Sequence, residues 1–182
     1  MPYNYDKRKM FLNLTIPVND ETTSYNIPSN VYLALFSNDP VADMQNSEVI
    51  NKFVEITNSD AENGGFTNDD GRFVNENYER KLIARKDSDL PNYLEFVDNE
   101  QGMPVIHNAR QITFNRADLA YEVKGIGLYE VAEGGDPTFY ATLKSPVTVD
   151  VDKIFTFDPE QFKIQFSDED GEISIEASGA TV

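Results

Sequence analysis

The chain has 182 residues and 40% hydrophobic content, with 32 acidic side chains against 15 basic ones for a net charge of −17. That much negative charge repels DNA, RNA and anionic bilayers unless a basic patch counters it, and Lys7-Arg8-Lys9 is too short to do so. The absence of cysteine removes disulfides, thiolate metal sites and cysteine nucleophiles, while the apolar residues suffice for a core that buries about 70% of the unfolded surface.

The opening, Met1-Pro2-Tyr3-Asn4-Tyr5-Asp6, lacks the apolar stretch of a signal peptide, and no run approaches the roughly 18 apolar residues that span a bilayer. A soluble chain made in a cytoplasm is expected. Residues 1–30 read as an arm. Within it Met10, Leu12, Leu14 and Ile16 alternate like a strand that Pro17 would end, while Tyr5 to Leu14 reads equally well as a short helix. Val31-Tyr32-Leu33-Ala34-Leu35-Phe36 is nearly continuous apolar sequence, the pattern of a strand covered on both faces, and Ser37-Asn38-Asp39-Pro40 stops it. Ser47 then offers an N-cap for a helix from Glu48 to about Ile56, with Val49, Ile50, Phe53, Val54 and Ile56 on its inner side. A polar loop rich in Asn, Asp and Gly comes next, up to Gly71.

Strands resume at Tyr78–Ala84 and Tyr93–Val97, and Gly102-Met103-Pro104 separates the latter from the strand near Asn108. From Asn108 onward the chain reads as short strands punctuated by turns: Arg110–Phe114, Val123–Tyr129, Thr138–Leu143, Val147–Val149, Lys153–Phe157 and Phe162–Phe166. Gly134-Gly135-Asp136-Pro137, Ser145-Pro146 and Asp158-Pro159 punctuate them. Gly125 and Gly127 inside a strand signal a bulge or the close approach of another backbone. A short strand over Glu172–Ile175 is expected before a frayed acidic end. The spacing predicts an all-β fold, an antiparallel β-sandwich of jelly-roll or immunoglobulin-like type, with one short helix and an N-terminal arm. The expected organisation is the arm over 1–30, a sandwich over 31–166 with insertions at 41–76 and 87–104, and an acidic tail over 167–182.

Chemistry-bearing residues are sparse. His107 is the only histidine, so no two-histidine metal site exists. It stands in a Pro104-to-Asn108 lead-in beside a strand, where a surface or capping role is expected. Asn68-Asp69-Asp70-Gly71 and Asp168-Glu169-Asp170-Gly171 are oxygen-rich turns, but neither has the ligand spacing of an EF-hand loop. The Gly-Gly pairs at 64–65 and 134–135 lack the Lys-Ser/Thr of a phosphate loop and read as turns. No catalytic residue, metal ligand or cofactor site is assigned, and the chain is not expected to be an enzyme.

Val31–Pro40, then Gly64-Gly65 with Tyr78-Glu79-Arg80, then Ile126–Val149, taken in that order, resemble a family of small tailed-bacteriophage virion proteins, often labelled tail or tail-fibre proteins. Val31-Tyr-Leu-Ala-Leu-Phe-Ser-Asn-Asp-Pro40 is similar to that family's opening LALFTxDP. Gly64-Gly65 precedes Tyr78-Glu79-Arg80, matching a Gly-Gly loop followed by Tyr-x-Arg. Ile126-Gly127-Leu128-Tyr129, Gly134-Gly135, Phe139-Tyr140-Ala141-Thr142-Leu143 and Ser145-Pro146-Val147-Thr148-Val149 resemble its GIFDAxxGGxLLFYGPLxSPKTV stretch. The resemblance covers roughly residues 30–166 and departs from the family in a longer gap at Phe66–Asn77 and an insertion around Asp87–Gln101. It implies a virion component that oligomerises and contacts other virion proteins of the tail, tail fibre, baseplate, neck (collar) or portal-proximal region. The residues put forward for those contacts are Lys7, Arg8, Lys9, Phe11, Phe66, Tyr78, Arg80 and Tyr140. A β-sandwich that binds a host glycan is the alternative, weakened by the absence of tryptophan.

Overall fold

The computed structural model describes residues 30–56, 78–85, 93–98, 104–166 and 173–182. They form an all-β sandwich of eleven strands with one helical turn and a half: β1 (Asn30–Phe36), α1 (Pro40–Gln45), β2 (Lys81–Arg85), β3 (Leu94–Asp98), β4 (Pro104–Asn108), β5 (Ile112–Arg116), β6 (Tyr121–Tyr129), β7 (Phe139–Val149), β8 (Ile154–Phe157), β9 (Phe162–Phe166), β10 (Ile173–Ala177) and β11 (Ala180–Thr181). Every described pairing is antiparallel. The sheets run β2-β1-β6-β7, β10-β9-β4-β3 and β11-β8-β5.

β1 is covered on both faces, as its apolar run predicts. Val31, Leu33 and Leu35 enter the main core, where Ile83, Ile106, Ile112, Ile126, Phe155, Phe157 and Phe162 are also fully buried. Ala34 and Phe36 face a second cluster with Tyr129, flanked by Tyr32, Phe53 and Tyr140. β6 makes this second layer possible. Gly127 lies opposite Ala34, and a Cβ on it would collide with the Phe36 ring. A Cβ on Gly125 would collide with the Pro40 ring. The nearest neighbours of both glycines are therefore side-chain rings where the approach of another backbone was expected, and the ladder also shifts register between Val123 and Gly125.

Beyond Leu33, β2 no longer accompanies β1. Val54–Ile56 takes its place: Phe36 bridges Glu55, Ile56 N donates to Leu35 O (3.1 Å), and Ser37 N donates to Val54 O (2.9 Å). This overturns the helix expected from Ser47. The helix lies earlier, where Asp39 accepts from the N–H groups of Val41 (3.1 Å) and Ala42 (3.0 Å) and Pro40 needs no N–H partner in the first turn. Lys52 reaches back from outside to donate to the carbonyls of Asp43 (2.7 Å) and Asn46. The last three residues assigned to the later helix, Val54–Ile56, are taken up by β1, because an open strand edge must have its hydrogen bonds met.

Three further corrections concern the second half. Pro104–Asn108 is a strand, β4, lying between β3 and β9 with all five residues buried. His107 is therefore an interior residue, 7% exposed, directly across from Glu95 with Nε2 2.8 Å from Glu95 Oε1. Thr138–Leu143 and Val147–Val149 belong to one strand, β7, although its pairing breaks between Thr142 and Val147, opposite Lys124. Residues 173–181 are not frayed. β10 pairs with β9, β11 pairs with β8, and Ala177 is fully buried. The arm, the Asn68–Gly71 turn and the Asp168–Gly171 turn lie outside the described residues.

Candidate functional site: a buried arginine clasp beneath an open cleft

Tyr78, Glu79 and Arg80 precede β2 and do not continue it, contrary to the strand expected from Tyr78. They run past the end of β6, and this places Tyr78 and Arg80 between three parts of the chain. The Tyr78 hydroxyl accepts from Leu35 N at 2.9 Å, filling a backbone donor of β1 that β2 no longer reaches, and donates to Glu55 Oε1 at 3.1 Å. Its ring lies parallel to Phe114 with centroids 6.3 Å apart, tying the cleft floor to the main core.

Arg80 meets Glu55 through two nitrogens, Nε at 2.9 Å to Oε1 and the second terminal nitrogen at 2.8 Å to Oε2. Its other terminal nitrogen donates to Val131 O (3.0 Å) and Gly134 O (2.8 Å) in the loop between β6 and β7. The guanidinium carbon lies 3.4 Å from the Tyr129 ring centroid. Gly134 and Gly135 sit at φ 67° and 71°, the left-handed conformation that costs glycine least, and the turn they make offers the Gly134 carbonyl to Arg80. The side chains of Arg80 and Glu55 are only 5% and 10% exposed.

Burial works against the Arg80 charge, yet the hydrogen bonds and field of Glu55 outweigh it and raise the guanidinium above its ordinary value. Burial also pushes the Tyr78 phenol well above its usual range, and the Glu55 carboxylate acts in the same direction. Both groups hold their charge states across ordinary pH, so this cluster is built to be permanent.

Above the clasp opens a cleft of about 1040 Å³. Tyr32, Phe53 and Tyr93 supply partly exposed aromatic wall, and Glu79, Glu133 and Asp136 supply an exposed acidic rim. Among the described residues no group of three His, Asp or Glu side chains is placed to hold a metal ion, and no helix is long and apolar enough to cross a membrane.

Of the residues put forward from sequence, Tyr78 and Arg80 are brought together, with their polar atoms engaged inside the chain. Tyr140 is half-buried on the second cluster, its ring 5.1 Å from Phe53. Lys7, Arg8, Lys9, Phe11 and Phe66 lie outside the described residues. The sequence reading missed Glu55. Its signal was an acid between Val54 and Ile56, which is hard to place on a solvated face. It also missed Asn108, fully buried, which donates to Arg110 O (2.9 Å) and Asp158 O (2.8 Å) and accepts from Phe162 N (2.9 Å).

The described residues thus form an antiparallel sandwich in which the buried Arg80–Glu55 pair clasps the chain's own strands and loop. The family model described as Podophage GP4 fiber I protein gp80 matches residues 19–165. The chain belongs to that family of tailed-phage fibre proteins, and is thus a structural component of the virion that interacts with other virion proteins. No curated protein matches the sequence.

Proposed function

We propose that this protein is a non-enzymatic, oligomerising sandwich subunit of the phage tail region (fibre, baseplate or neck) whose work is to grip neighbouring virion proteins. The observation that carries this reading is the use made of the buried charge. Arg80, Glu55 and Tyr78 satisfy one another and three backbone groups, so the buried charge holds strands and loop in place beneath the surface. Large apolar side chains on α1, Val41 and Met44, and on the stretch after it, Ile50, are 39%, 43% and 96% exposed, which suits burial against a partner. Deleting residues 1–26 is expected to leave a folded sandwich that no longer enters particles; normal incorporation would refute the assembly role of the arm.

A host glycan is the second reading, favoured by the aromatic wall of Tyr32, Phe53 and Tyr93 in the cleft. An array of host polysaccharides without a single binder would remove it.

A further inference from the structure

Glu55 neutralises Arg80, and Lys52 is turned to the last carbonyls of α1. The cleft is left with Glu79, Glu133 and Asp136 against the ammonium of Lys81. Among the described residues none of these three acids makes an ion pair. An acidic rim over aromatic walls suits an extended peptide in which adjacent cationic side chains precede apolar ones. The cations would meet carboxylates and ring faces, and the apolar residues would cover the rings. A neutral sugar would meet the same rings but give the rim no charge to hold.

The chain carries one such peptide. Lys7-Arg8-Lys9 is its only run of three bases, and Met10, Phe11 and Leu12 come directly after. The roughly 20 residues between Lys9 and Asn30, at about 3.3 Å each, reach about 65 Å when extended. A domain of this size is about 40 Å across, so the arm is long enough to reach the cleft of an adjacent copy.

We infer that the cleft bounded by Tyr32, Phe53, Tyr93, Glu79, Glu133 and Asp136 receives the Lys7–Leu12 segment of a second copy of this chain. The contact is head to tail, since arm and cleft are different surfaces, and it generates a ring or a string of subunits according to whether the rotation closes. The inference rests on the assembly reading above and names the contact that reading leaves open.

Sedimentation velocity on the full chain tests it. The wild type is expected to self-associate at tens of micromolar protein in low salt, with association weakened at least tenfold in 0.5 M NaCl. Reversing the arm (Lys7→Glu, Arg8→Glu, Lys9→Glu) or the rim (Glu79→Lys, Glu133→Lys, Asp136→Lys) is expected to abolish association in each chain alone. Mixing the two reversed chains restores it, because each then offers the surface the other needs. Circular dichroism confirms that both remain folded. Self-association unchanged by arm reversal, or no recovery on mixing, overturns the inference and leaves the assembly reading standing on another contact. A wild type that stays monomeric at every concentration and salt overturns both.

Discussion

Replacing Arg80 by Met removes the guanidinium and keeps most of its stem. The structure then leaves Glu55, with a side chain 10% exposed, as a buried charge whose partner has gone. Breaking a buried pair from one side costs about 3–5 kcal/mol. The two bonds to Val131 and Gly134 carbonyls add about 1 kcal/mol each, but the loop can rehydrate and the losses overlap, so about 4 kcal/mol is expected in all. For a chain of this length that lowers the melting temperature by roughly 10–15 °C. Urea unfolding followed by circular dichroism and tyrosine fluorescence measures it, since the protein has nine tyrosines and no tryptophan. The decisive control is the cycle with Glu55→Leu. The double variant is expected to be at least 2 kcal/mol more stable than the sum of the single losses, because it removes the orphaned charge along with its partner. A loss under 1 kcal/mol for Arg80→Met, or simple additivity in the cycle, would refute the claim that the clasp holds the β6–β7 loop and Val54–Ile56 against β1.

Three other outcomes are expected. Gly127→Ala forces a methyl against the Phe36 ring and costs about 1–3 kcal/mol by chemical denaturation, whereas Gly127 would tolerate the change if the second cluster were loosely packed. Asn108→Ala strips the turn at Asp158 of its buried amide bonds and leaves backbone groups unmet. A loss of about 2–4 kcal/mol is expected, with faster amide exchange at Phe162. Burial raises the Tyr121 phenol to about 12. The unfolded chain therefore loses that proton first, near pH 10, and stability falls as pH rises from about 10 to about 12. Tyr121→Phe is expected to flatten that part of the stability-versus-pH curve; an unchanged slope would show that Tyr121 contributes nothing to it.

Where structure follows from local pattern, it was legible in the residues. Phe162–Phe166 is the strand its alternation predicts, and the apolar run from Val31 to Phe36 is buried on both faces. Gly125 and Gly127 announced a close approach, but the side-chain rings of Pro40 and Phe36 make it where another backbone was expected. Competing signals were not decidable locally. Asp39-Pro40 and Ser47 are both acceptable helix starts, and Val54–Ile56 was lost to the second because β1 needed partners for Leu35 and Ser37. Pro104 read as a separator, yet as the first residue of a strand it costs the ladder little. Pro146 read as a break between strands, and it does fall where the ladder is interrupted. β7 is an edge strand, however, and its backbone runs on through the irregularity.

Periodicity and turn chemistry in the sequence thus determined that this protein is an antiparallel sandwich and roughly where its strands lie, because both act over a few residues. The Tyr78-x-Arg80 motif was visible too, but not what it holds. Glu55 lies 25 residues before Arg80, and the Val131 and Gly134 carbonyls lie 51 and 54 residues after it. Only the pairing of β1 with β6 brings them to one place, and that pairing is a property of the whole core. Whether a charge ends up buried and paired or free at a rim is decided by such long-range packing, which no local pattern encodes.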